Sequence, residues 1–170
     1  MIDSAHAIMA HMEPVSHPIS IRHTLAALAY RATRALEGAP PEFAEFKAGP
    51  NPRTPGRILA HMCDLMDWAL SQVEGRQKWQ NSTPLPWPDE VGRFFRALQA
   101  LDERIAAEGV EPDLANRLFQ APIADALTHT GQIAMLRRMA GCPIRGENYF
   151  VAEIAIGRVG PDQAPSRRSF

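Results

Sequence analysis

Apolar residues recur at the spacing of an amphipathic helix in four stretches of the chain, and proline and glycine residues separate these stretches. The predicted helices span residues 20–36, 55–75, 88–109 and 122–141. Thr54 precedes Pro55 as an expected N-cap, and each helix is followed by glycine or proline as a stop signal. The pattern therefore predicts four principal helices.

Strand-like alternation of apolar and polar residues is scarce, and no internal repeat divides the sequence. Four helices without a repeat favour an all-α fold, with a four-helix bundle as its architecture. A chain of 170 residues is the size of one domain. We predict an N-terminal extension over residues 1–19, the bundle over residues 20–145, and a C-terminal helix or packed tail over residues 146–170.

The composition of the chain argues against nucleic-acid binding and against a membrane span. Acidic and basic residues nearly cancel, with a net charge of -1, so the chain lacks the positive surface that nucleic-acid binding requires. No window approaches the roughly 18 uncharged apolar residues of a membrane span, and the N-terminus does not resemble a signal peptide. Cys63 and Cys142 match no close-spaced zinc or redox motif. These features predict a reduced cytoplasmic protein whose cysteines are free thiols.

The fourth predicted helix carries polar residues on its apolar stripe. The stripe steps by four, three, four and three residues through Asp125, His129, Gln132, Leu136 and Met139. Asp125 and His129 are one helical turn apart on the same face and can reach a common ion. Gln132, one turn beyond His129, is placed to orient a bound water or ligand.

His61 interrupts the apolar stripe of the second predicted helix, which also holds Ile58, Leu65 and Trp68. Asp64 and Asp67 fall on a different face, which we expect to meet water. His61 is therefore the preferred third ligand beside Asp125 and His129. Two imidazoles and one carboxylate leave coordination positions open for water or substrate, as in catalytic zinc and non-haem iron sites.

Each ligand also has a structural interpretation. A single histidine on an apolar stripe is more often a hydrogen-bonded core residue, and Asp125 near a helix start favours stabilisation of the helix dipole. The three side chains could equally form a hydrogen-bonded set without a metal. The other histidines do not join the set, because His23 lies on a helix rim and the three in the N-terminal extension share no consistent face: His6, His11 and His17.

Two segments carry a family resemblance. TPGRILAHMCDLMDWAL resembles the first metal-ligand helix of the DinB-like metal-binding four-helix bundles, and DALTHTGQIAMLRRMAGCPI resembles their closing ligand helix. That family commonly has a histidine in the earlier helix and a His-x-x-x-His pair in the later one, often followed by glutamine. The matching positions are His61, Asp125, His129 and Gln132. Asp125 departs from the pattern, although related thiol-dependent isomerases use a carboxylate there.

The resemblance covers residues 20–145 and implies an up-down-down-up bundle that is frequently a homodimer. It implies a divalent metal ion, zinc or nickel foremost, with iron and manganese as alternatives. It further implies a metal-dependent hydrolase or a thiol-dependent transferase acting on a small molecule, with a low-molecular-weight thiol as co-substrate. The alternative is a non-catalytic stress-response or binding module with a structural or vestigial metal site. Arg137 and Arg138 are candidates for binding an anionic substrate.

Overall fold

The computed structural model describes residues 20–170, and the predicted N-terminal extension with its three histidines lies outside that range. The helices are α1 (Ile21–Leu36), α2 (Pro55–Val73), α3 (Trp87–Glu108), α4 (Pro112–Leu118) and α5 (Ala124–Met139). Short 3-10 turns occupy Pro41–Glu45 and Tyr149–Val151. Within residues 20–170, β-type pairing is limited to one isolated bridge between Glu147 and Ser169. The predicted all-α fold is confirmed.

The four longer helices pack in a closed cycle, in which α2 contacts α3 and α5, and α1 also contacts α3 and α5. Their apolar stripes meet in one core. Its fully buried members include Leu25, Leu28, Met62, Met66, Phe94, Leu98 and Ile133. Burial of these side chains is the main favourable term in folding. None of the helices within residues 20–170 combines the length and the apolar character that crossing a membrane requires.

Local signals determine several helix ends as predicted. Thr54 is the N-cap of α2, with its hydroxyl accepting the backbone N–H of Arg57 and Pro55 in the first helical position. Gly75, Gly109 and Gly141 follow α2, α3 and α5 with φ of 70°, 74° and 77°, a left-handed conformation that favours glycine.

The predicted start of the fourth helix, near Pro122, lies close to the start of α5 at Ala124, but the prediction missed α4 and the π turn that precede it. The helical run begins at Pro112, which occupies a first-turn position instead of closing the preceding helix. It passes through Pro122 inside a wide π-helical turn, Phe119–Ile123, where the N–H of Ala124 reaches the carbonyl of Phe119. Proline has no N–H, and its ring would collide with the carbonyl four residues earlier in a regular α-helix. The wider turn accommodates it immediately before Asp125.

The C-terminal residues form a tail with one 3-10 turn, Tyr149–Val151, and part of this tail packs against the bundle. Val159 and Ala164 are buried in it. Glu147 is also buried. It accepts a hydrogen bond from the hydroxyl of Tyr30 and forms an ion pair with Arg34, both on α1. Burial and the bond to Glu147 raise the pKa of Tyr30, so this hydroxyl keeps its proton. The tail is thereby fixed against α1.

Candidate metal centre

His61 from α2 meets Asp125 and His129 from α5 where the two helices pack together. The Nε2 atom of His61 lies 3.3 Å from one carboxylate oxygen of Asp125. The Nε2 atom of His129 lies 3.4 Å from the other oxygen. The structure therefore brings the three predicted ligands together, although 64 residues separate His61 from Asp125 along the chain.

The spacing of these atoms suits a small divalent ion. One ligand atom from each residue lies within 4.8 Å of the other two. Ligands bound tetrahedrally to zinc at about 2.0–2.1 Å lie roughly 3.3 Å from one another, which is the separation of the carboxylate from each imidazole. The group could therefore hold a metal ion with small adjustments of the side chains.

Gln132 fixes the orientation of His129. Its Oε1 atom lies 2.8 Å from Nδ1 of His129 and accepts the hydrogen of that nitrogen. A neutral imidazole then carries no hydrogen on Nε2, the atom that faces the carboxylate of Asp125. Two lone pairs consequently face each other across 3.4 Å. A cation between them, or a proton on Nε2, removes this electrostatic conflict.

The predicted role of Gln132 was to orient a bound water or ligand. In the structure its bond to His129 identifies it as a positioning residue for an imidazole. Metal-binding histidines commonly donate their other ring N–H to such an acceptor, which determines the tautomer. Leu136 continues the predicted stripe in the core, but Met139 is exposed, so the stripe ends one turn earlier than expected.

The site is buried on one side and open on the other. The side chain of His129 is 9% exposed and that of His61 is 24% exposed, whereas that of Asp125 is 45% exposed. Asp125 lies in the first turn of α5, as the helix-dipole interpretation requires, but α4 and the π turn continue the helical run upstream of it, so this turn is not a free helix start. A carboxylate at the open side leaves room for a further ligand.

Trp79 forms a wall of the site that the sequence did not predict. Its ring meets the ring of His61 edge to face at 5.8 Å and that of Trp68 at 6.0 Å. Trp79 lies in the segment between α2 and α3, where no helical period indicates which way a side chain points. Its indole N–H donates to Asn81, which orients the ring over His61.

The prediction that Asp64 faces water was wrong. Asp64 is buried and accepts hydrogen bonds from Arg93 of α3 and from both the backbone N–H and the hydroxyl of Ser82. Arg93 also pairs with Asp67 and with the buried Glu90. These contacts anchor the segment that carries Trp79. Neither aspartate is a ligand candidate, in agreement with their predicted exclusion from the site.

Cys63 is also buried, on the α2 face opposite the site, where its thiol donates to the carbonyl of Glu90. Burial raises the pKa of the Cys63 thiol, and proximity to Glu90 raises it further. A thiol in this state is a poor nucleophile. Both cysteines are free, as predicted.

Arg137 does not have the predicted role of an anion-binding residue. It is buried and donates hydrogen bonds to the backbone carbonyls of Ala35, Glu37 and Cys142. Those carbonyls lie at the ends of α1 and α5, where helices leave acceptors unsatisfied. Arg137 therefore joins two helix ends, and Arg138 remains exposed beside it.

Fold and site together define an all-α protein with a candidate His/Asp/His metal centre. Comparisons of the chain with protein-family models, curated proteins and solved structures find no match. The DinB-like resemblance consequently rests on residues of α2 and α5 and stays a prediction.

Proposed function

We propose that His61, Asp125 and His129 bind one divalent metal ion, zinc or nickel foremost, in a protein of the DinB-like class. The arrangement around His129 carries this proposal. Its Nδ1 atom is hydrogen-bonded to the amide oxygen of Gln132, and its Nε2 atom faces a carboxylate oxygen of Asp125. A hydrogen-bonded set without a metal would need an additional proton on His129. A divalent cation satisfies all three side chains at once and compensates the charge of Asp125.

The bound ion would supply Lewis acidity, which lowers the pKa of a thiol or water bound beside Asp125. The residues of the chain provide the setting for this chemistry. Gln132 holds His129 in one tautomer, and the ring of Trp79 packs edge to face against that of His61. We propose a nucleophile of this kind attacking a small electrophile, in a thiol-dependent transfer or a hydrolysis.

Two further features of the class belong to the proposal: the up-down-down-up connectivity and a homodimer. Phe150, at 97% exposure, is an unusually open aromatic side chain that would suit an interface. Trp87, by contrast, is buried against Phe43 in the core and offers no surface for an interface. Light scattering at micromolar concentration tests the dimer, and a monomer mass would refute it.

Metal analysis of protein purified without added ions tests the proposed function first. We expect close to one ion per chain in the wild type and a loss of that ion in Asp125→Asn, whose exposed position avoids a folding defect. His23→Ala is the matched control, since His23 is exposed on α1. Conjugation of low-molecular-weight thiols to a panel of electrophiles then separates an enzyme from a non-catalytic module. Metal binding without turnover would favour the module.

A further inference from the structure

A cleft of about 390 Å³ opens directly beside His61. The start of α2 and the loop before it form one wall, with Arg53 and Arg57. The segment that carries Trp79 forms the opposite wall, with Asn81 and Ser82. His61 therefore belongs to this cleft and to the candidate metal centre at the same time.

The cleft carries uncompensated positive charge. Arg53 and Arg57 are both exposed, and among residues 20–170 neither forms an ion pair with a carboxylate. Asp64 is the one acidic residue in the lining, and its carboxylate is already engaged by Arg93 and Ser82. Two guanidinium groups thus remain available to a ligand.

Neutral donors supplement the two arginines. The amide oxygen of Asn81 accepts the indole N–H of Trp79, which leaves its amide hydrogens available for donation. The cleft also adjoins the N-terminal end of α2, where the helix dipole is positive. Guanidinium groups recognise carboxylates and phosphates through paired hydrogen bonds. Every available charge in this cleft therefore favours an anion.

We propose that the cleft binds the anionic group, a carboxylate or a phosphate, of the small molecule whose other end reaches the candidate metal centre. The inference rests on the proposed function, and it names the substrate class of that site: a small anionic ligand, foremost a thiol that bears a carboxylate. Arg53 and Arg57 take the role that the sequence assigned to Arg137 and Arg138.

Matched thiols with and without a carboxylate test this proposal. Protein loaded with cobalt(II) is titrated with 3-mercaptopropionate and 4-mercaptobutyrate, and separately with the uncharged 3-mercaptopropanol and 4-mercaptobutanol. The thiolate-to-cobalt absorption band reports binding. We expect at least one of the carboxylates to bind about tenfold more tightly than its alcohol, with an advantage that shrinks as salt is added.

The variant with both Arg53→Gln and Arg57→Gln should lose this advantage and keep the affinity for the alcohols and the cobalt. Arg138→Gln, which removes one exposed positive charge away from the cleft, is the control and should behave as the wild type. Equal binding of both kinds of thiol, or an advantage that survives in the double variant, would overturn the anion site and leave the metal centre standing.

Absence of cobalt binding would instead refute the proposed function, and the cleft is then tested alone. Inorganic phosphate is titrated into the metal-free chain while backbone amide resonances of residues 51–57 and 81–82 are followed. Saturable shifts that vanish in the double variant would support the anion site. Unchanged resonances would overturn it.

Discussion

Replacing Arg93 by methionine should destabilise the fold strongly. The side chain of Arg93 is 17% exposed, and its guanidinium contacts three carboxylates. The side chains of two of them, Asp64 and Glu90, are 3% and 0% exposed. Burial alone would lower the pKa of Arg93, but its bonds to Asp64 and Asp67 outweigh that effect and raise the pKa above its usual value. The arginine is therefore charged and central to the cluster.

The magnitude follows from what the methionine variant leaves behind. Removing one partner from a buried ion pair costs about 3–5 kcal/mol, because the remaining charge is uncompensated. Asp64 keeps its two bonds to Ser82, and Glu90 keeps the backbone N–H of Leu85, so we expect about 3 kcal/mol, the lower end of that range. In a domain of this size such a loss lowers the melting temperature by about 6–12 °C.

Urea unfolding followed by far-UV circular dichroism measures this free energy directly. Arg96→Met is the matched control, since Arg96 is exposed on the same helix and should change the stability by less than about 0.5 kcal/mol. A loss below about 1 kcal/mol for Arg93→Met would show that the cluster behaves like a surface ion pair, and the proposed anchoring of the Trp79 segment would be refuted.

Three other predictions concern single contacts. Gln132→Ala frees Nδ1 of His129 and should weaken zinc affinity by about 10–100-fold in calorimetric titration, and an unchanged affinity would remove its positioning role. Iodoacetamide should label Cys142 and spare Cys63 in the folded chain, and peptide mass spectrometry measures the labelling of each cysteine. Rapid labelling of Cys63 would contradict its burial and the raised pKa of its thiol. Tyr30→Phe deprives the buried carboxylate of Glu147 of a donor and should cost about 1–3 kcal/mol in urea unfolding, and no loss would mean that this bond does not fix the tail.

Helix α1, helix α2 and the placement of His61, Asp125 and His129 on helix faces that meet were predictable because their signals are local. Thr54 with Pro55 marks a helix start, and an apolar period broken by one polar residue marks a site. Proline was ambiguous, since it suits both a helix start and a helix stop. Pro112 begins a helix, and Pro122 persists inside one only because a π turn accommodates it.

Long-range pairing was not predictable from these patterns. Asp64 appeared to face water because its partner, Arg93, lies 29 residues away on another helix. Arg137 donates to the carbonyls of Ala35 and Glu37 at the C-terminal end of α1, which lie 102 and 100 residues away along the chain. Trp79 had no period to assign its direction. Each of these side chains receives its role from packing between elements that the sequence pattern does not place relative to one another.

We propose that His61, Asp125 and His129 together hold one divalent ion. Calorimetric titration of the metal-free chain with zinc, in parallel with Asp125→Asn and His129→Ala, tests it most directly. We expect one ion per wild-type chain and a loss of that binding in both variants. Binding far below one ion per chain, or equal binding by the variants, would contradict the claim.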